Sequence, residues 1–257
     1  MKAGQKLWTR EELIVAINLY CKLPFGRLHN SNPEIIKLAN LIGRTANSVA
    51  YKLVNFAGLD PSLKARGIKG AANASKLDAE IWNEFFDNWD VLPYESEKLL
   101  ANLQHKTIEQ LNPIPESELY REGKTREQLV KVRVNQSFFR SSILASYNNT
   151  CCITGITQPE LLVAGHIKPW SVDEKNRLNP QNGIAINALH DKAFESGFIT
   201  ITPDYKIKIS PSLLKQKESR SIEDYFLKLD NKDIILPSKF LPDIEFLKYH
   251  NEFRFKF

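Results

Sequence analysis

Between Leu161 and Gly197 the chain reads as strand, loop, strand, helix, and that order limits the fold more than any other feature. Leu161–Ile167 is a short apolar run that places His166 near its end. A polar loop follows, and Asn182-Gly183 is a turn signal leading into a second apolar run, Ile184–Asn187. A short helix starting near Ala188 then carries His190. His, Asn and His thus stand at three corners of a small unit. Taken singly, a histidine at a strand end is more often structural than catalytic, and Asn-Gly is an ordinary turn. Their order is what draws notice.

The rest of the 257-residue chain is ordinary in bulk, with 42% hydrophobic and 25% charged residues. It is long enough for one or two domains with a sizeable core. No apolar run approaches the ~18 residues of a spanning helix, and the N-terminus lacks the apolar core of a signal peptide. Three cysteines (Cys21, Cys151 and Cys152) form no disulfide framework and exclude a four-cysteine zinc site. Together these features lead us to expect a soluble cytoplasmic protein.

Charge is unevenly placed. Residues 1–70 hold 11 Lys+Arg against 4 Asp+Glu, residues 71–125 hold 5 against 11, and residues 126–257 hold 19 against 15. Basic segments attract polyanions, because neutralising phosphates releases condensed counterions. A solvated, lysine-rich surface is the plainer alternative.

The basic head reads as three helices. Thr9 and Glu12 form a capping box ahead of Leu13, Ile14, Ile17, Tyr20 and Cys21. Asn32-Pro33 starts a second helix that stops at Gly43. A third begins after Thr45 and ends near Gly58. Its inward face is Val49, Leu53 and Phe56, and its other face carries Asn47, Tyr51 and Asn55, with Arg44, Ser48 and Lys52 close by. This is a helix-turn-helix pattern in which the third helix would read DNA. "GRTANSVAYKL", with Trp8-Thr9 upstream, is similar to the Myb/SANT-like heads of some bacterial DNA-acting proteins. A trihelical module that contacts protein is the alternative.

Ser75 can cap a helix carrying Leu77, Ile81, Trp82, Phe85 and Phe86, and Trp82 and Trp89 are expected in a core or domain interface. Residues 93–124 hold three prolines and many acids, as an acidic helical connector with loops would. Thr125 and Gln128 open a further helix that runs to about Tyr147.

"GHIKP", "QNGIAIN" and "LHDKAFESG", in that order, resemble the HNH (ββα-metal) nuclease family. The lead-in "RVNQSFFR…ILASYNNTCCITG" is similar to that of HNH domains in restriction-type endonucleases. The resemblance covers about Gln128 to Phe257. The fold expected is α+β and mainly helical. It comprises a helix-turn-helix-like recognition domain over 1–70, an acidic connector over 71–124 and a ββα-metal nuclease domain over 125–257.

Cleaving a phosphodiester requires an activated water and stabilisation of charge on the leaving oxygen. A neutral imidazole can take the water's proton at physiological pH. The resemblance implies that His166 is this general base, that His190 is a helix-borne metal ligand, and that Asn182 braces the loop and orients the base. Many HNH enzymes place an aspartate or histidine ligand immediately before the base, where this chain has Gly165. Asp191 is the nearest carboxylate, and Asn182, waters or phosphate oxygens are other ways to complete the shell. A magnesium-like ion that keeps several waters tolerates such sparse ligation, whereas zinc, nickel or manganese would suit an imidazole ligand better; the cation expected is magnesium or manganese. Arg140, in "FFR", would reach phosphate or brace the helix. Glu195, where relatives carry aspartate, reads as structural, and His29, His105 and His250 show no partner.

The function implied is a restriction-type DNA endonuclease acting on double-stranded DNA in phage defence, with the head reading a site or a base modification. One active site cuts one strand, so a homodimer would supply the second cut. Two alternatives stand beside it. One is a nonspecific or RNA-directed HNH nuclease, and the other is a DNA- or partner-binding module without activity.

Overall fold

In the computed structural model the described residues are 6–71, 74–112, 125–215 and 218–257. They form two compact units, Met1–Ser141 and Ser142–Phe257.

The first unit is helical. Helix α1 (Arg10–Lys22) starts at the capping box, with Thr9 Oγ1 accepting from Glu12 N at 3.3 Å and Glu12 Oε2 accepting from Thr9 N at 2.9 Å. Helix α2 (Pro33–Leu41) is capped by Asn32 and followed by Gly43 at φ +64°, a left-handed turn that suits glycine. Helix α3 (Ala46–Ala57) is capped by Thr45. A short α4 (Pro61–Ala65) follows, its cap Asp60 accepting from Ser62 N at 2.8 Å.

The acidic stretch does more than connect. Helices α5 (Lys76–Asp87) and α6 (Leu92–Leu103) both pack on α1, so the unit extends well past residue 70. Trp82 on α5 fills the middle, its ring 5.6 Å from Tyr20 and 4.1 Å from Phe86 between centroids, and only 4% of it is exposed. Asn18 on α1 reaches Ser96 Oγ at 2.6 Å and Glu97 Oε1 at 2.8 Å on α6, and Lys22 also pairs with Glu97. A one-turn α7 (Ile108–Leu111) follows. The end of the expected connector, 113–124, lies outside the described residues. Helix α8 (Arg126–Ser146) begins at the reciprocal Thr125–Gln128 cap and runs across the boundary between the units.

The second unit contains strand, loop, strand, helix. Strands β1 (Leu162–His166) and β2 (Gly183–Asn187) are antiparallel, with His166 opposite Gly183 and Gly165 opposite Ile184. Every residue of β2 is buried, as a strand covered on both faces must be. Asn187 caps α9 (Ala188–Glu195), accepting from His190 N at 3.1 Å. A second antiparallel pair, β3 (Ile199–Ile201) and β4 (Ile207–Ile209), comes next, then α10 (Pro211–Leu214), α11 (Arg220–Tyr225) and α12 (Ile244–Phe253). Cys151 and Cys152 are buried free thiols. Cys151 Sγ accepts from Asn187 N at 3.3 Å and helps to seat the end of β2. Among the described residues no helix is long and apolar enough to cross a membrane.

Candidate active site

His166 closes β1, and its placement is determined by the loop that follows. Its Nε2 lies 2.8 Å from the Arg177 carbonyl oxygen. A carbonyl only accepts, so in the neutral ring the proton sits on Nε2 and the lone pair on Nδ1. Burial lowers the His166 pKa below its usual 6.5, partly offset by the Arg177 carbonyl, so the ring is neutral at physiological pH. The Trp170 ring stands edge-on to the imidazole, centroids 5.9 Å apart.

Asn182 is wholly buried and holds this loop from within. Its Oδ1 accepts from Lys168 N at 2.8 Å, and its Nδ2 donates to Lys168 O at 3.1 Å and Asn176 O at 3.3 Å. One amide therefore clasps the chain two residues after His166 and one residue before Arg177. Asn182 touches the residues that aim His166 and is itself closed to solvent.

The departure at Gly165 has a counterpart on α9. A Cβ on Gly165 would lie 2.6 Å from Asp191 Oδ1 and 3.2 Å from Ile186 Cγ2. The carboxylate fills the volume that a side chain on β1 would need. Asp191 is half-buried, and burial raises its pKa, with Glu195 adding to the effect and Lys192 opposing it. Asp191 and His166 line one cleft of about 480 Å³, together with Trp170, Ser171, His250 and Arg254.

His190 does not line that cleft. It is 2% exposed, its Nε2 lies 2.7 Å from the Tyr225 carbonyl, and its Nδ1 lies 2.7 Å from Asn187 Nδ2. Burial lowers its pKa too, the Tyr225 carbonyl acting against it. A metal would reach this ring only after one of those contacts broke. Among the described residues, no group of three or more His, Cys, Asp or Glu could hold a metal ion. Of the two carboxylates that line the cleft, Glu195 is exposed and Asp191 is half-buried beside Gly165, where it could offer one oxygen to a cation. Such a single hard oxygen donor suits an ion that keeps most of its waters.

In the first unit, Arg44, Lys52 and Asn55 turn inward instead of lining an exposed reading face. Lys52 Nζ lies 2.6 Å and 2.8 Å from the Asp78 carboxylate oxygens, and Asn55 Nδ2 lies 2.9 Å from Oδ2. Arg44 binds Glu12 Oε2 at 2.7 Å and the backbone of Leu7 at 2.6 Å, and its guanidinium covers the Trp8 ring at 4.2 Å. Asn47 and Tyr51 are exposed, with Asn47 bonded to Asn30, and Ser48 is half-buried. Arg140 is half-buried on α8, within the first unit.

Two cleft residues, His250 and Arg254, went unmarked as site residues because only the folded chain brings α12 beside α9. His250 is nearly buried, its Nδ1 2.8 Å from Thr200 Oγ1 and its ring stacked 3.7 Å from that of Phe194. Burial pushes its pKa down to about 4, so it stays neutral.

With this geometry in view, residues 151–202 match the family model for HNH endonucleases. The stretch holds β1, β2 and α9, and it places this part of the chain in the HNH endonuclease family. The family points to nuclease activity on nucleic acid, generally with a divalent metal. No curated protein matches the chain significantly.

Proposed function

With residues 151–202 in the HNH endonuclease family, we propose that the chain is a metal-dependent DNA endonuclease whose general base is His166. The observation that carries this reading is the His166 imidazole, half-buried, neutral and fixed on the Arg177 carbonyl in the cleft that Asp191 also lines.

Nδ1 takes a proton from water as the water oxygen forms a bond to phosphorus and the bond from phosphorus to the 3′ oxygen breaks; the leaving oxygen takes a proton from solvent, giving 5′-phosphate and 3′-hydroxyl ends. Asn182 positions the base by fixing Lys168 and Asn176. Asp191 would hold the divalent cation, magnesium or manganese, and His190 would join it only by giving up Tyr225 or Asn187. When bound, that cation neutralises charge on the phosphate and the leaving oxygen.

The first unit supplies specificity in this reading. The residues of α3 left to face double-stranded DNA are Asn47, Ser48 and Tyr51, while Arg44, Lys52 and Asn55 hold the helix in place. Recognition of a site or modified base, and hence a restriction role, rests on the resemblance of about Gln128 to Phe257 to the HNH domains of restriction-type enzymes and on the helix-turn-helix pattern of the head. A homodimer would supply the second-strand cut.

The sparse metal donors favour a second reading, a nucleic-acid-binding chain that does not cut. Incubating modified and unmodified plasmid and phage DNA with Mg²⁺ or Mn²⁺, beside a His166→Ala control, separates the two. Cleavage that the control abolishes supports the nuclease. Binding without cleavage of any substrate supports the second reading.

A further inference from the structure

We infer that Arg254, outside the family-matched residues, is a phosphate-binding residue of the cleft that grips the nucleic-acid backbone beside His166. This inference rests on the proposed nuclease reading and adds a residue to its site.

The cleft carries two carboxylates, Asp191 and Glu195, that repel a phosphodiester, so a cation is needed at its rim. The neighbouring cations are largely committed. Lys168 pairs with Asp173 at 3.0 Å, Arg177 pairs with Glu174 at 2.5 Å and also bonds the Trp170 carbonyl at 3.1 Å, and Lys192 pairs with Glu195 at 3.0 Å. Arg254 is exposed, and among the described residues its side chain donates only to the Glu195 carbonyl, at 2.9 Å. A guanidinium has five N–H donors in a planar fork that matches two phosphate oxygens, so most of this one remains available.

The position is built into the fold. The buried His250 bonds Thr200 and the Phe194 carbonyl, which fixes the end of α12 against β3 and α9. Arg254 N and Phe255 N then both donate to His250 O, at 3.1 Å and 2.9 Å, and Lys256 N donates to Gly197 O at 3.0 Å. Gly197 sits at φ +77°, and a Cβ there would lie 2.1 Å from Arg254 O. The tail can lie across the end of α9 only because position 197 has no side chain, and that seat brings the guanidinium to the rim of the cleft.

The test compares wild type, Arg254→Gln and Arg254→Lys in two assays. The first is steady-state nicking of supercoiled plasmid with Mn²⁺. The second is metal-free binding of a short mixed-sequence duplex, followed by fluorescence anisotropy across a salt series. Arg254→Gln should raise KM about tenfold or more with a smaller change in kcat. It should also lower the slope of log affinity against log salt by about one. Arg254→Lys should restore the slope but only part of the KM. Wild-type KM and slope in a folded Arg254→Gln protein overturn the inference. If wild type cuts nothing, the nuclease reading falls, and the binding slope alone decides Arg254. Wild type that neither cuts nor binds overturns both.

Discussion

Lys52 Nζ lies 2.6 Å from Asp78 Oδ1 and 2.8 Å from Oδ2, in an ion pair whose side chains are 9% and 0% exposed. It joins the basic α3 to the acidic α5 and shows why the opposed charge of the two segments is structural. Lys52→Ala leaves Asp78 charged and buried without its cation, and it should lower stability by about 3–5 kcal/mol in urea denaturation. Burial alone would raise the Asp78 pKa, but the bonds from Lys52 and Ser75 outweigh it and hold the carboxyl below its ordinary 3.8. A lowered carboxyl pKa stabilises the fold fully above the unfolded value and ceases to do so as pH falls through the folded one. Lys52→Ala should therefore move the acid-unfolding midpoint upward.

His166 is expected to shape the pH profile of cleavage. Its pKa lies below 6.5, so kcat/KM should be flat through neutral pH and fall on an acidic limb centred below 6.5. His166→Ala should remove that limb and lower kcat by about 10²- to 10⁴-fold. An unchanged limb in the variant would assign it to another group.

Asp191→Asn keeps the side-chain size and removes the charge. Mn²⁺ affinity, read by electron paramagnetic resonance, should fall by about tenfold or more. Gly165→Ala should weaken Mn²⁺ binding in the same direction, because its Cβ would press on Asp191 Oδ1. Mn²⁺ affinity unchanged in Asp191→Asn would move the cation elsewhere.

His190 gives the opposite pattern. With Nε2 on the Tyr225 carbonyl and Nδ1 at Asn187, His190→Ala should destabilise the fold by about 1–3 kcal/mol through lost buried hydrogen bonds. Its Mn²⁺ affinity should stay near wild type. A loss of Mn²⁺ affinity at unchanged melting temperature would make His190 a ligand after all.

Gly197→Ala meets both a left-handed backbone and the Arg254 carbonyl. The melting temperature should fall, and KM for plasmid should rise toward that of Arg254→Gln as the tail lifts. A variant with wild-type melting and KM would show that the tail has another way to seat.

The features legible in the sequence were mostly local. Thr9 with Glu12, Asn32 before Pro33, and Thr125 with Gln128 mark helix starts through contacts a few residues apart, and each cap forms. The strand–loop–strand–helix order was legible for the same reason, since periodicity and turn residues act within one element. Lys52 and Asn55 show the limit. Helical spacing puts them on the polar face of α3, but spacing cannot reveal that Asp78, 26 residues beyond Lys52, covers that face. The start of α4 is local in the same way as the other caps, with Asp60 as cap and Pro61 at the first helical position. Arg254 and His250 could not be placed because their neighbours on α9 and β3 are distant in sequence.

The close fit between Gly165 and Asp191 limits how such a site can change over generations. Adding an aspartate at 165 while Asp191 remains drives two like-charged side chains into one volume. Removing Asp191 first leaves that corner of the cleft without a carboxylate. With Asp191 as the proposed cation holder, each single step would impair the site, so strand-borne and helix-borne carboxylates would be separate solutions exchanged only together. Glycine at 165 and aspartate at 191 should therefore be inherited as a pair.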